Sequence, residues 1–334
     1  MDSNVTPCRS PFQGKRRILF LLASMLVPLL AVAGEEEAHA WIERMINAVR
    51  TLNYEGTFVY LRGGHLESIR ITHSVEGGEE RERLLSLNGS PRMVNRDQAS
   101  VVCIMPDVHD VSVEKRRHRS GIPVLQALGE KAFPDHYVFR ILGKARIAGQ
   151  DAAVIGIIPK DDYRYGYRLF LDRETALPLK LDLMDESANP IEQVMFTSLR
   201  VLPGEKGVAV ADEADEDVVG TVDTQGTNGS VGLKWRFRML PPGFSLKVAD
   251  DMESDAGHKV EHLVVSDGFA SVSVYIEPFT GDGKALTGST SIGAVNALGG
   301  KVAGFQVTAV GEVPRKTIRE VVEAMEYVSV ASVQ

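Results

Sequence analysis

Cysteine is almost missing from this 334-residue chain, which carries only Cys8 and Cys103. No disulfide framework can therefore stand in for a hydrophobic core. Excess positive charge is missing as well: 37 Lys and Arg face 45 Asp and Glu, and the formal charge of −8 excludes nucleic-acid binding by bulk attraction. Aromatic residues make up 7%, with two tryptophans. The longest apolar run, Ile18 to Ala33, contains Pro28 and falls short of the ~20 residues that span a bilayer. What is present, 44% hydrophobic and 25% charged residues, excludes disorder for most of the chain. Single cores rarely grow beyond ~300 residues, so the length predicts two domains.

Lys15, Arg16 and Arg17 precede the apolar run, and Ala31-Val32-Ala33 closes it with small residues. That order predicts an export signal over residues 1–33, cleaved after Ala33, which sends the protein out of the cytoplasm. Cleavage would remove four of the 37 basic residues and one of the 45 acidic ones, leaving a charge of −11. Cys103 would then have no partner within the chain, and its setting, Val101-Val102-Cys103-Ile104-Met105, predicts a small buried apolar side chain.

Ala38, Trp41, Ile42, Met45, Ile46 and Val49 recur at helical spacing, behind Glu35 to Glu37 at the positive end of the helix dipole. From Gly56 the pattern becomes that of strands divided by the turn pairs Gly63-Gly64, Gly77-Gly78 and Asn88-Gly89, an antiparallel meander. A second helix is expected between Gly121 and Phe133, followed by strands to Leu202. About ten strands around two helices make a domain over 34–203. The stretch 204–230 loses all apolar periodicity and includes Asp212, Glu213, Asp215, Glu216 and Asp217, the composition of a solvated linker. Residues 231–334 form a smaller α+β unit, with a hairpin at Asp267-Gly268 and a helix opened by Pro314.

No catalytic motif closes. Gly281-Asp282-Gly283-Lys284 lacks the upstream glycine and the following Ser or Thr of a phosphate loop, and no Gly-x-Ser-x-Gly elbow occurs. His258 and His262 lie four apart, but in a strand-like segment without a third ligand. Asp161-Asp162 reads as a solvated turn. No enzyme, metal or cofactor is expected. Two features suggest binding instead. A helix over a curved sheet can leave an apolar slot, which Trp41, Met45 and Ile46 would line, or the same residues can close a core. Lys115, Arg116, Arg117 and Arg119 form a basic cluster in an acidic protein, either a solvated loop or a phosphate- or carboxylate-binding patch.

Several stretches together resemble the RseB/MucB family of periplasmic regulators. They are Trp41-Ile42-Glu43-Arg44-Met45, Asn53-Tyr54-Glu55-Gly56-Thr57-Phe58-Val59-Tyr60, Tyr165-Gly166-Tyr167-Arg168-Leu169-Phe170-Leu171-Asp172 and Leu177-Pro178-Leu179-Lys180. In the second domain they are Leu240-Pro241-Pro242-Gly243-Phe244, Ser266-Asp267-Gly268-Phe269-Ala270-Ser271-Val272-Ser273-Val274 and Val310-Gly311-Glu312-Val313-Pro314. The resemblance implies an α+β fold: an N-terminal LolA/LolB-like open antiparallel half-barrel covering helices, then a smaller C-terminal α+β domain. It implies a regulator that binds the periplasmic part of a single-span anti-sigma factor of the MucA/RseA kind. That grip would protect the anti-sigma factor from proteolysis, and lipid, lipopolysaccharide or lipoprotein acyl chains would relieve it. In that picture the basic cluster holds anionic head groups, and Trp235, Phe244 and Phe269 are either exposed anchors for the partner or, as residue type alone favours, ordinary core residues. A homo-oligomer is left open, and the alternative is a lipid or lipoprotein carrier without a regulatory role.

Overall fold

A 36-residue helix, α1 (Arg16–Thr51), opens the computed structural model, which describes residues 16–90, 92–96, 100–105, 110–115, 135–203, 234–253, 259–279 and 286–328. The helix crosses the expected cleavage point after Ala33 without a break, and side chains before Gly34 lie outside the described residues. Among the described residues no helix is long and apolar enough to cross a membrane. The expected helix at 121–133 and the linker at 204–230 also lie outside them.

Eleven strands follow, in one antiparallel sheet. They are β1 (Tyr54–Arg62), β2 (His65–Glu76), β3 (Glu79–Ser86), β4 (Met93–Arg96), β5 (Ser100–Met105), β6 (Asp110–Lys115), β7 (Tyr137–Ile147), β8 (Gln150–Pro159), β9 (Gly166–Asp172), β10 (Pro178–Met184) and β11 (Pro190–Val201). Their order, β6-β5-β4-β3-β2-β1-β11-β10-β9-β8-β7, is two meanders joined where the first strand pairs with the last. The turns at Gly63-Gly64 and Gly77-Gly78 hold both residues at positive φ, which ordinary side chains resist. β7 also approaches β11, from which three strands separate it in the ladder, so this half of the sheet rolls around α1. Ala38, Ile42, Met45 and Val49 on α1 pack there against Phe58, Phe139, Ile155, Leu169, Leu179 and Phe196. At ~1.5–3 kcal/mol for each large side chain removed from water, that stripe fixes the helix on the sheet. The expected half-barrel over a helix is the observed fold.

The second domain is a six-stranded antiparallel sheet, ordered β13 (Ser245–Glu253), β14 (Lys259–Ser266), β15 (Ser271–Pro278), β18 (Phe305–Gly311), β17 (Val295–Val302) and β16 (Gly288–Ile292). Period-two alternation explains it: Val272, Val274 and Ile276 of β15 are buried, whereas Ser271 is exposed and Ser273 and Tyr275 are half-buried. Helix α2 (Arg315–Glu323) starts after Pro314, as expected, and buries Thr317, Ile318 and Val321 over one face. The short ribbon β12 (Trp235–Phe237) with β19 (Met325–Tyr327) closes the core around Trp235.

Candidate regulatory site at the domain seam

Residues 160–165, between β8 and β9, carry one of the contacts from the first domain to the second. Arg164 is fully buried there. Its Nε donates to Asp267 Oδ2 at 2.7 Å, Nη2 donates to the carbonyl of Pro242 at 2.7 Å, and Nη1 pairs with Asp161. Its guanidinium also lies 5.0 Å from the Phe244 ring. The Asp267 side chain is itself fully buried, and its other oxygen accepts the backbone N–H groups of Phe269 and Ala270 at 2.8 and 2.7 Å. A buried cation is thus matched by carboxylates and a carbonyl from both domains, the condition under which such a group is tolerated. The expected solvated pair Asp161-Asp162 splits: Asp161 belongs to this cluster, and only Asp162 is exposed, 3.7 Å from Lys316 Nζ.

Phe269 sits edge-on to Tyr137 and Tyr167 of the first domain, at 5.1 and 5.3 Å, and packs on the first domain's core. Burial pushes both tyrosine pKa values up. Tyr163 adds a carbonyl that accepts from Thr317 Oγ1 at 2.7 Å and a hydroxyl that donates to Glu320 at 3.2 Å.

A second group of contacts lies where the β16–β17 hairpin meets β1 and β11. The hairpin tip, Gly293-Ala294, drives into the first domain until Ala294 is fully buried and its N–H donates to Glu192 Oε1 at 2.8 Å. Gly293 takes φ +58, and any Cβ there would collide with Glu192 and Arg62. Glu192 Oε2 accepts the Tyr60 hydroxyl at 2.5 Å, and Arg62 Nε lies 3.2 Å from Glu192 Oε1, an ion pair without hydrogen-bond alignment. Asn296 donates to Tyr165 Oη at 2.9 Å and to the carbonyl of Val313 at 2.8 Å. Burial raises the Tyr165 pKa to about 12. Next to Val313, Glu312 is half-buried. Burial first and the Glu192 charge second raise its pKa to about 7, against the opposing pull of Arg62.

Beside this contact opens a cleft of about 540 Å³. One wall is the β1–β2 hairpin, with Tyr60, Arg62 and His65; the other is the face of the second sheet opposite α2, where Thr290, Ala297 and Val310 form a row across three strands. β16, the edge strand of that sheet, is exposed along its whole length. A free strand edge beside a groove can accept an extended peptide by backbone pairing, with side-chain pockets for selectivity.

The structure separates the residues singled out from sequence. Met45 is fully buried in the helix–sheet core, with Trp41 and Ile46 half-buried around it. Lys115 ends β6 with its side chain outside the described residues, as are Arg116, Arg117 and Arg119. Trp235 and Phe244 are buried in the second domain's core, which corrects the reading of exposed anchors: alternation along β12 points Trp235 inward, and the turn in which the Phe244 N–H donates to the Pro241 carbonyl holds Phe244 just ahead of β13. Phe269 is an anchor, but between the two domains of one chain. His262 of β14 stacks at 4.7 Å on Tyr275, its partner in β15, and His258 lies outside the described residues. Among the described residues no cluster of His, Cys, Asp or Glu is placed to hold a metal. Sequence reasoning missed Arg164, Glu192, Glu312 and the Gly293-Ala294 tip.

Comparison with known proteins follows the same division. Residues 37–219 match the MucB/RseB N-terminal domain and residues 230–326 the MucB/RseB C-terminal domain. The sigma factor AlgU regulatory protein MucB of Pseudomonas aeruginosa is 34% identical over 316 residues, covering 91% of this chain and 95% of its own. The crystal structure of MucB in complex with MucA(peri) is 30% identical and superposes with a TM-score of 0.67 over 88% of this chain and all of that one. A crystal structure of MucB, 32% identical, superposes at 0.54 over 88% of this chain and 99% of its own.

Proposed function

The chain belongs to the MucB/RseB family, and from that membership we propose that it is a periplasmic regulator of an envelope-stress sigma factor. It binds the periplasmic part of a membrane anti-sigma factor, shields it from regulated proteolysis, and so keeps the sigma factor repressed. The observation that carries this reading is the cleft, walled by both domains and bordered by the free edge of β16. The likeness to MucB in complex with MucA(peri) supports it. A plain lipid carrier needs only the rolled sheet, whereas here a second domain is fastened to it through the buried Arg164. Residues 1–33 are proposed as the export signal and residues 204–230 as the linker.

Release by lipid is the finer part of the proposal, and the core sets its energetics. Met45, Ile42 and Ala38 already fill the space beneath α1 at their positions. An acyl chain entering there displaces the helix, giving up ~1.5–3 kcal/mol for each of Ile42 and Met45. Offsetting that loss of ~3–6 kcal/mol and still leaving the about 5.5 kcal/mol of differential affinity that moves a two-state population from 1:99 to 99:1 takes roughly eleven to fourteen buried methylenes at ~0.8 kcal/mol each. Calorimetric titration of the protein with the periplasmic segment of its anti-sigma factor tests the main reading. Ala297→Trp, which fills the cleft, is expected to abolish binding; unchanged affinity would move the partner elsewhere. Dodecyl chains added as lyso-phospholipid below their micellar concentration test release, and the lipid arm fails if the bound partner stays bound.

A further inference from the structure

The phase of the β16–β17 hairpin decides which backbone groups of β16 are free. Ile292 and Val295 flank the two-residue turn Gly293-Ala294 and form the hydrogen-bonded pair that closes it, and the same kind of pair recurs at Thr290 with Ala297 and Gly288 with Gly299. The N–H and C=O groups of Ser289 and Ser291 therefore point away from β17, to the open edge of the sheet. Side chains alternate too. Thr290 and Ile292 line the cleft, whereas the hydroxyls of Ser289 and Ser291 lie on the α2 side. There Arg315, in the first turn of α2, donates from Nη2 to Ser291 Oγ at 2.6 Å and from Nη1 to Ser289 Oγ at 3.4 Å. A hydroxyl that accepts in this way keeps its own hydrogen free to donate. Three donors, one of them charged, thus converge beside the free edge. Among the described residues the guanidinium is bonded to these two hydroxyls and to no carboxylate. Helix stability does not account for it, since a cation in the first turn opposes the dipole and that turn has no acidic residue.

We propose that β16 recognises an acidic segment of the anti-sigma factor: the segment pairs as an added strand with the backbone of Ser289 and Ser291, and one of its Asp or Glu side chains is held by Arg315 and the two serine hydroxyls. This rests on the reading of β16 as the partner's edge and names the chemistry the partner must bring. Alternation sets the rest of the pattern. Residues opposite Ser289 or Ser291 point towards Arg315, and the residue between them, beside Thr290, enters the cleft over the row of Thr290, Ala297 and Val310. That row suits an apolar side chain. The socket on the α2 side suits a carboxylate, because a carboxylate accepts from all three donors, whereas an amide group offers only one oxygen and a lysine adds a like charge. The segment therefore alternates, acid towards Arg315 and apolar towards the cleft, rather than presenting a continuous apolar run.

Calorimetric titration of the full chain with the periplasmic segment of its anti-sigma factor tests this. Arg315→Met, which keeps the stem at an exposed position, is expected to weaken binding by about 10- to 100-fold, and Arg315→Glu to abolish it. Changing the segment's Asp and Glu residues to Lys one at a time should find one that loses binding to the wild type and regains it with Arg315→Glu. Full affinity in Arg315→Met, or no Lys variant rescued by Arg315→Glu, overturns the acidic socket. Amide hydrogen exchange in the complex checks the register. Ser289 and Ser291 should slow, while Thr290, already bonded to Ala297, should change little; Ser289 and Ser291 amides indifferent to the segment overturn the added strand. Ala297→Trp keeps this inference apart from the reading it rests on. If Ala297→Trp abolishes binding and Arg315→Met leaves it intact, the cleft stands and the socket fails; if neither matters, the partner lies elsewhere and both fail.

Discussion

Replacing Arg164 with Met is expected to uncouple the two domains. The substitution keeps the stem's volume but deletes a fully buried guanidinium that meets Asp161, Asp267 and the Pro242 carbonyl. Asp267 is then left charged with its side chain fully buried. Breaking such a pair from one side costs about 3–5 kcal/mol, far above the 0–1 kcal/mol of an exposed pair, because the orphaned charge keeps its desolvation penalty. Most of that loss should fall on the second domain, since Asp267 Oδ1 also holds the Phe269 and Ala270 amides that shape the turn.

The chain's two tryptophans make this measurable, because Trp41 lies on α1 and Trp235 in the second domain's core. Urea unfolding followed in Trp235→Phe reads the first domain, and in Trp41→Phe the second. In each background the unaltered seam is expected to give coincident transitions. With Arg164→Met the Trp235 transition should move to lower urea by about 3–5 kcal/mol and separate from that of Trp41. Adding Asp267→Asn removes the stranded charge while keeping an oxygen for the two amides, so the double variant should recover at least half of the loss. Coincident transitions in Arg164→Met, or a double variant no better than the single one, would refute the claim that this ion cluster couples the domains.

Three further outcomes are expected. Ala148 and Ala303 sit at φ +49 and +50 in two-residue hairpin turns that each end in glycine; changing either to Asn should stabilise by about 0.5–1 kcal/mol, read as a raised Tm, and a lowered Tm would count against strain there. Gly293→Ala forces a Cβ into Glu192 and Arg62 and should lift the hairpin tip, seen as faster hydrogen exchange of the Ala294 amide; unchanged exchange would mean the tip is not held by Glu192. His73 is fully buried with Nδ1 2.9 Å from the Leu52 carbonyl, Nε2 3.3 Å from Glu80, and its ring stacked on Tyr54, so His73→Leu should cost about 1–3 kcal/mol in urea unfolding, with a cost below 0.5 kcal/mol showing these contacts to be dispensable.

Local pattern carried the reading of the elements and lost it at the seams. Gly63-Gly64, Gly77-Gly78 and Asp267-Gly268 announce hairpins because glycine relieves positive φ, and the spacing of Ala38, Ile42, Met45 and Val49 announces one face of a helix. Ala148-Gly149 and Ala303-Gly304 escaped notice because alanine carries no turn preference and spends energy to adopt that φ. Residue type alone left Trp235 and Phe244 open between anchor and core, while the inward direction of Trp235 was a matter of strand phase and that of Phe244 of the turn at Pro241. Arg164 and Glu192 could not be paired by any local pattern, since their partners Asp267 and Ala294 lie 103 and 102 residues away. The available signal was chemical: an arginine between Tyr163 and Tyr165, in a loop whose other charged residues are acid or terminal, had to find an acceptor once buried.

The unequal chemistry of the seams gives each a distinct mechanical role. At the Arg164 seam, opposite charges and a carbonyl satisfy one another, and Phe269 wedged between Tyr137 and Tyr167 adds apolar area that no proton alters. At the other seam the Ala294 N–H and the Tyr60 hydroxyl both rest on Glu192, and the cleft lies on that side. A peptide bridging both walls would contact Thr290 and Ala297 on one and Tyr60 on the other, and would hold the hairpin tip against the first domain. Hydrogen exchange of the Ala294 amide should therefore slow when the anti-sigma segment is saturating; exchange indifferent to the segment would mean that it touches one wall only.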